Sequence, residues 1–244
     1  YLGKGKIEEV KDLVWELDAT GVVCDDELSP AQLKNLEAAL DTKVMDRTMV
    51  ILDIFASRAH TREGKIQVEL AQLKYRAARL VGMRASLSRL GGGIGTRGPG
   101  EKKLEVDRRL IHERIGQLKA ELEDVKRHRE VTRQQREQGC AVSAAIVGYT
   151  NAGKSTLLNL LTGADVLAED KLFATLDPTS RAIELPDGRS LLLVDTVGLI
   201  RRLPHHLVEA FKSTLEESAC ADIIIHVCDV SDPEAAEKAD VTLK

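Results

Sequence analysis

Aromatic residues are scarce in this chain, at 3% of its 244 residues, which argues against a surface that stacks single-stranded nucleic acid on aromatic rings. No run of about 18 apolar residues occurs, so the sequence excludes a membrane-spanning helix. The formal net charge is -4, and no overall positive field would draw the chain onto nucleic acid. The four cysteines form no CxxC pair, so we expect free thiols, core positions for Cys220 and Cys228, and a reducing, cytoplasmic location.

Residues 1–63 alternate helical and strand patterns, which predicts a small parallel α/β domain. The first residues, YLGKGKIEEV, have no apolar signal segment, and we expect this domain to be entered part-way. Helix-start chemistry is clearest at residues 29–32. Ser29 suits the N-cap, Pro30 the first helical position and Gln32 the return bond of a capping box.

Residues 64–138 carry apolar side chains at alternating spacings of four and three, on both sides of a glycine-rich stretch, GGGIGTRGPGE (91–101). The first stripe is Ile66, Leu70, Leu73, Ala77 and Leu80, and the second is Ile111, Ile115, Leu118, Leu122 and Val125. Two such stripes predict a long antiparallel helical hairpin with the glycines at its tip. Over residues 139–244, continuous apolar strands separated by helical runs predict a doubly wound α/β domain.

The segment GYTNAGKS fits the phosphate-binding pattern G-x-x-x-x-G-K-[ST], and it lies between a strand pattern and a helical run, as that pattern requires. Gly148 and Gly153 permit close backbone approach to a phosphate. Lys154 would reach the β- and γ-phosphates, and the Ser155 hydroxyl would bind Mg²⁺. The nucleotide contacts predicted on this P-loop are Gly148, Tyr149, Thr150, Asn151, Ala152, Gly153, Lys154, Ser155 and Thr156.

Two further segments complete the pattern of a P-loop GTPase domain. Asp195 ends an apolar strand in DTVG, where a carboxylate can hold Mg²⁺, and the N–H of Gly198 can turn toward a γ-phosphate. Between this segment and the P-loop lies KLFATLDPTSR (171–181), where such a GTPase has its switch I loop and a Thr binds Mg²⁺. Thr175 and Thr179 are the candidates there. The predicted metal ligands are Ser155, Thr175 and Asp195.

The P-loop segment and the later DTVGLIRRLPHHLVEAF resemble the HflX family of translational GTPases, as do VMDRTMVILDIFASRAHTREGKIQVELAQLKY and SRLGGGIGTRGPGE. The resemblance covers almost every residue. It implies GTP hydrolysis to GDP with Mg²⁺, binding to the large ribosomal subunit and its rRNA, and splitting or rescue of stalled ribosomes under stress. We expect a monomer. The resemblance places the glycine-rich loop toward the peptidyl-transferase centre, with contacts at Gly92, Gly93, Arg97, Gly98, Lys102 and Lys103.

Two features depart from the expected pattern. Leu199 follows DTVG where Ras-like GTPases often have a Gln that orients the attacking water, so we expect slow hydrolysis without a partner and assign no catalytic base. The chain ends at DVTLK without the Asn-Lys-x-Asp element that reads guanine, so we expect a GTPase domain that is incomplete at its C-terminal side. Two alternatives stay open: a nucleotide-independent ribosome- or RNA-binding module, and a P-loop ATPase with another partner.

Overall fold

The structure, a computed structural model, describes the backbone of residues 1–90, 99–137, 142–163, 172–204, 207 and 212–243. For some residues in these ranges the structure describes the backbone but not the side chains, namely 81–90, 99–104, 132–137, 212–214 and 217. Contacts divide the chain into two compact units. One joins Tyr1–Asp53 with Leu70–Lys119, and the other joins Ile54–Glu69 with Ala120–Lys244. The domain boundaries at residues 63 and 138 stay predictions.

The first unit contains the alternating helices and strands that the sequence predicted. Its elements are α1 (Lys4–Glu16), β1 (Gly21–Cys24), α2 (Pro30–Leu40), β2 (Lys43–Asp46) and most of α3 (Arg47–Arg58). β1 and β2 pair in parallel, with Val22 opposite Val44. The buried apolar cluster of this part of the unit consists of Cys24, Leu28, Leu36, Leu40 and Val44.

The start of α2 is fixed by its own first residues. The N–H of Gln32 donates to Ser29 Oγ at 3.3 Å, and the N–H of Ser29 donates to Gln32 Oε1 at 2.9 Å. The predicted capping box is therefore confirmed. Pro30 occupies the first turn, where its missing N–H removes no hydrogen bond from the helix.

A fully buried carboxylate, Asp46, ends β2 and ties the first unit together. It accepts hydrogen bonds from the N–H groups of Leu28 at 3.2 Å and Met49 at 2.9 Å, from the Tyr75 hydroxyl at 2.5 Å and from Arg79 Nη2 at 2.6 Å. Burial and the bond to Asp46 raise the pKa of Tyr75, so the phenol keeps its proton and donates it. Each oxygen of Asp46 thus has two donors, as a buried charge requires.

Two long helices, α4 (Arg62–Leu90) and α5 (Pro99–Glu137), match the predicted hairpin. All ten apolar residues of the two predicted stripes are buried or half-buried. Glu63 at the start of α4 pairs with Arg129 near the end of α5 at 3.1 Å, as an antiparallel arrangement requires. Among the helices that the structure describes, none is long and apolar enough to cross a membrane.

The second unit contains a four-stranded sheet. Its elements are β3 (Val142–Gly148), α6 (Lys154–Thr162), β4 (Thr179–Glu184), β5 (Ser190–Asp195), α7 (Lys212–Ala219), β6 (Ile223–Val227) and α8 (Ala235–Leu243). The strand order is β4-β5-β3-β6. β3 is parallel to β5 and β6, as a doubly wound domain requires. Because parallel strands end at the same edge of a sheet, Gly148, Asp195 and Val227 share one edge.

β4 differs from its neighbours, because it runs antiparallel to β5. It begins at Thr179, inside the segment 171–181 predicted as a switch loop, so the described part of that loop is shorter than predicted. The core prediction for Cys220 is wrong, because this residue lies exposed just after the end of α7. Cys228 is half-buried, and both are free thiols.

We expect Asp46→Asn to lower the free energy of unfolding by about 3 kcal/mol, since the largely buried Arg79 would lose its charged partner. Urea unfolding followed by circular dichroism measures this change. The matched control is Asp53→Asn, which alters an exposed carboxylate on α3 and should change stability by less than about 0.5 kcal/mol. Equal stabilities of the two variants would contradict the role assigned to Asp46.

Candidate nucleotide-binding site

The predicted P-loop, residues 148–155, leads from the end of β3 into α6. Gly153 has φ +89, a left-handed conformation that favours glycine. Gly148 lies so close to β6 that a Cβ there would collide with the carbonyl oxygen of Val227. Since α6 begins at Lys154, the first N–H groups of this helix lack partners within it. Such an N-terminus favours a bound anion.

Lys154 is the buried cation of the P-loop, with only 6% of the residue exposed. Its Nζ donates to the carbonyl oxygen of Tyr149 at 2.8 Å. Burial lowers the pKa of Lys154 to about 8, an effect that the charge of Asp195 opposes. An anionic partner favours the charged form of such a group. Lys154 therefore has the position and the charge for a phosphate contact.

A cluster of three oxygen-bearing side chains lies beside the P-loop. Ser155 Oγ is 2.6 Å from Asp195 Oδ2, Thr175 Oγ1 is 3.0 Å from the same oxygen, and the two hydroxyls are 2.8 Å apart. Asp195 is fully buried, and this burial raises its pKa, whereas the bonds from Ser155 and Thr175 lower it. All three predicted metal ligands therefore meet at one point.

This cluster fits a magnesium ion. Asp195 Oδ1 is buried and has no hydrogen-bond partner among the described residues, so this oxygen is available to a cation. One carboxylate and two hydroxyls are the hard oxygen donors that Mg²⁺ prefers, and Mg²⁺ in proteins keeps several of its waters. The described residues contain no group of three or more His, Cys, Asp or Glu suited to a metal, which leaves this mixed cluster as the metal site we consider.

The segment after Asp195 lies directly on the P-loop. The N–H of Leu199 donates to the carbonyl oxygen of Gly148 at 3.1 Å, and the N–H of Thr150 donates to the carbonyl oxygen of Leu199 at 2.9 Å. Gly198 is so close to Thr150 that a Cβ on the glycine would overlap the Thr150 backbone. The predicted contact residue Gly198 is therefore next to the loop, and the Leu199 side chain brings no polar atom there.

The other predicted residues fall into three groups. Tyr149, Asn151 and Ala152 line a cavity of about 160 Å³ beside the P-loop, and Thr156 lies exposed in the first turn of α6. Thr179 begins β4, opposite Asp195 in the strand register. The predicted ribosome contacts Gly92, Gly93, Arg97 and Gly98 lie outside the described residues. Lys102 and Lys103 lie on α5, where their side chains are also outside the description.

Two contacts at the site were not foreseen from the sequence. The N–H of Phe173 donates to Thr150 Oγ1 at 2.9 Å, which joins the predicted switch I loop to the P-loop. Arg201, three residues after Gly198, reaches Glu234 and Glu237 beside and within α8, each at 2.7 Å. Spacing along the chain carries no signal for the first contact. The spacing of Glu234 and Glu237 along the chain likewise does not indicate that Arg201 contacts them.

Comparisons with known proteins cover nearly the whole chain. Residues 1–56 match a model described as GTP-binding GTPase N-terminal, and residues 58–136 match GTP-binding GTPase Middle Region. Residues 143–244 match a model described as 50S ribosome-binding GTPase.

The chain is also similar to individual proteins and to a solved structure. GTPase HflX of Lacrimispora saccharolytica is 80% identical over 234 residues, which are 96% of this chain and 55% of that protein. GTPase HflX of Caldanaerobacter subterraneus subsp. tengcongensis is 61% identical over 244 residues, 100% of this chain and 57% of that protein. The chain thus spans little more than half the length of these curated relatives. A crystal structure of SsGBP with GDP matches with TM-score 0.53 and 29% identity, covering 98% of this chain and 63% of that one.

We expect Lys154→Ala to weaken GDP binding about a hundredfold, because one charged hydrogen bond is worth up to about 3 kcal/mol. Ser155→Ala should weaken binding when Mg²⁺ is present and leave the much weaker binding in EDTA unchanged. Titration of a fluorescent GDP analogue measures both effects. Lys119→Ala, which removes an exposed lysine of α5, should bind as the parent chain does. Unchanged affinity in Lys154→Ala would remove this lysine from the site.

The pKa of Lys154 predicts how nucleotide affinity depends on pH. Below a pKa of about 8 the side chain is charged and ready to meet phosphate. Above it, binding must take up a proton, so affinity should fall by up to about tenfold per pH unit. Calorimetric titrations from about pH 7 to about pH 9.5, in buffers of different ionisation enthalpy, measure the affinity and the proton uptake. Constant affinity without proton uptake across this range would contradict the assignment.

Proposed function

Because the chain belongs to the HflX family of GTPases, we propose that it binds guanine nucleotide with Mg²⁺ and hydrolyses GTP to GDP. The observation that carries this proposal is the meeting of Ser155, Thr175 and Asp195 next to the buried Lys154. A phosphate-binding cation and a set of hard oxygen ligands are thereby held at the edge of the sheet where the parallel strands β3 and β5 end. This combination is what a metal-bound nucleoside phosphate needs.

Each side chain has a task that follows from its chemistry. Lys154 and the first N–H groups of α6 would hold the phosphates. Ser155, Thr175 and Asp195 would hold Mg²⁺, which neutralises charge on the phosphoryl group when bound. The N–H of Gly198 would contact the γ-phosphate. Since Thr175 and Gly198 belong to separate segments, loss of the γ-phosphate would release both, which is how such loops act as switches.

During GTP hydrolysis, this chain would orient the attacking water poorly. A Gln after DxxG does this in Ras-like proteins, but Leu199 has no polar atom to do so. We therefore propose slow hydrolysis by the protein alone and faster hydrolysis when a partner supplies the missing group. No residue of this chain is assigned as the base.

We propose that the nucleobase of the bound nucleotide is guanine, and the support for this comes from relatives. Two proteins at 80% and 61% identity are called GTPases, and the SsGBP structure contains GDP. The alternative of an ATPase makes a different prediction in a direct competition. If unlabelled ATP displaced a fluorescent GDP analogue as well as GTP does, the guanine assignment would fail while the phosphate site remained.

The partner we propose is the large ribosomal subunit. Residues 143–244 match a model described as 50S ribosome-binding GTPase. Residues 97–136 contain twelve Lys and Arg against eight Asp and Glu, and positive side chains contact rRNA phosphates. We propose that Gly92, Gly93, Arg97, Gly98, Lys102 and Lys103 make these contacts, and that the protein splits or rescues stalled ribosomes under stress. Its cytoplasmic location and monomeric state stay predictions.

Pelleting with large ribosomal subunits tests this proposal. We expect more of the chain to pellet with a non-hydrolysable GTP analogue than with GDP or no nucleotide, because only the γ-phosphate fixes both switch segments. Arg97→Ala should reduce pelleting several-fold and leave nucleotide affinity unchanged. Arg189→Ala, which removes an exposed arginine between β4 and β5, is the charge-matched control and should pellet like the parent.

The same experiment distinguishes the proposed GTPase from the alternative, a nucleotide-independent ribosome- or RNA-binding module. Such a module would pellet equally in all three nucleotide conditions, and Lys154→Ala would have no effect on it. If Arg97→Ala pelleted as the parent chain does, the glycine-rich loop would lose its proposed role.

A further inference from the structure

The loop that carries Thr175 is anchored to the start of α4 by a carboxylate outside the metal cluster. Asp177 Oδ2 accepts hydrogen bonds from the N–H of His60 at 2.7 Å and the N–H of Thr61 at 2.8 Å. Its other oxygen accepts the Thr61 hydroxyl at 2.5 Å. These partners are 116 and 117 residues away in sequence, yet all of them belong to the second unit.

The start of α4, which contacts Asp177, is a favourable place for a carboxylate. Thr61 is the capping residue of α4, because its Oγ1 accepts the N–H of Gly64 at 2.9 Å. Asp177 therefore meets the helix where the unpaired N–H groups and the positive end of the helix dipole favour an anion. Gly64 leaves the necessary space, since a Cβ at this position would collide with Asp177.

A second anchor lies on the other side of Thr175. Phe173 is buried, with 3% of the residue exposed, and its ring packs edge-on against Phe55 of α3 with the ring centroids 4.9 Å apart. Its φ is +56, a conformation that a bulky residue adopts only when its surroundings hold it there. The N–H of Phe173 donates to Thr150 of the P-loop. Thr175 is thus flanked, two residues on either side, by contacts with residues 55–64.

We infer that Asp177 is a positioning residue for nucleotide binding: by capping the start of α4 through Thr61, it holds Thr175 at Ser155 and Asp195. The inference rests on the proposed GTP site. It adds that residues 55–64 and the metal cluster are energetically coupled through the loop 173–177. Because such coupling is reciprocal, whatever displaces the start of α4 should loosen Mg²⁺–nucleotide binding, and loss of nucleotide should loosen the start of α4.

The first test compares release of a fluorescent, non-hydrolysable GTP analogue from the parent chain and from Asp177→Ala, because Thr175 is held at the metal only while the γ-phosphate is present. We expect release to be about tenfold faster in the variant when Mg²⁺ is present, which corresponds to the loss of one charge-assisted interaction. In EDTA the two rates should be equal, because Thr175 acts through the metal. Asp187→Ala is the matched control, since this carboxylate pairs only locally with Arg189 between β4 and β5.

The second test measures hydrogen exchange at the amides of residues 60–64. In the parent chain, exchange should slow when the non-hydrolysable GTP analogue binds with Mg²⁺. In the Asp177→Ala variant, exchange at these amides should be fast and should not change when nucleotide binds. Thr61→Ser keeps the hydroxyl and should behave like the parent chain in both tests, whereas Thr61→Val should resemble Asp177→Ala. This difference between the two Thr61 variants distinguishes loss of the hydrogen bond to Asp177 from general damage to the fold.

The outcomes distinguish this inference from the function on which it rests. If the parent chain binds the GTP analogue with Mg²⁺ but Asp177→Ala changes neither its release nor exchange at 60–64, the inference is wrong and the nucleotide site stands. Equal acceleration of release with and without Mg²⁺ would also overturn it, because Asp177 would not act through Thr175. If the parent chain binds neither GDP nor the GTP analogue under any condition, the proposed function fails and the coupling fails with it.

Discussion

The arrangement of the second unit depends on one buried carboxylate. Asp195 ends the central strand β5 and is fully enclosed, so its charge must be matched by hydrogen bonds or by a cation. The two hydroxyls that meet it come from the start of α6 and from the loop before β4. One side chain thereby joins the strand to the predicted P-loop and to the predicted switch I loop.

The two units use buried aspartates at strand ends in opposite ways. Asp46 has donors on both oxygens, including a guanidinium, so it is saturated within the protein. Asp195 has its hydrogen bonds on Oδ2, and Oδ1 has none from the described residues. A saturated carboxylate stabilises a fold, whereas an unsaturated one keeps a coordination position open for a ligand. The same residue type at the same kind of position is therefore saturated by the protein in one unit and left, among the described residues, with a free oxygen, the predicted metal ligand, in the other.

The features that could be predicted from the sequence are those whose signals lie within short segments of the chain. The capping box at Ser29, the apolar stripes of α4 and α5, and the P-loop at 148–155 all have signals within a few residues, and each was found. The segment 171–181 offered two candidate threonines, and Thr175, the predicted metal ligand, is the one that the chain path brings to Asp195. It had no signal for the bond between Asp177 and Thr61, which are 116 residues apart. Such contacts follow from how the chain folds back, and spacing does not encode them.

The tight packing at Gly148 and Gly198 has a genetic consequence. Every single-base change of a glycine codon that alters the amino acid introduces a Cβ. At these two positions that atom would overlap backbone atoms of Val227 or Thr150, which have no rotamer to move aside. Both codons should therefore admit only silent changes, even in lineages where exposed residues such as Trp15 or Val230 drift freely. In a saturation library selected for function, they should stand out as positions occupied by glycine alone.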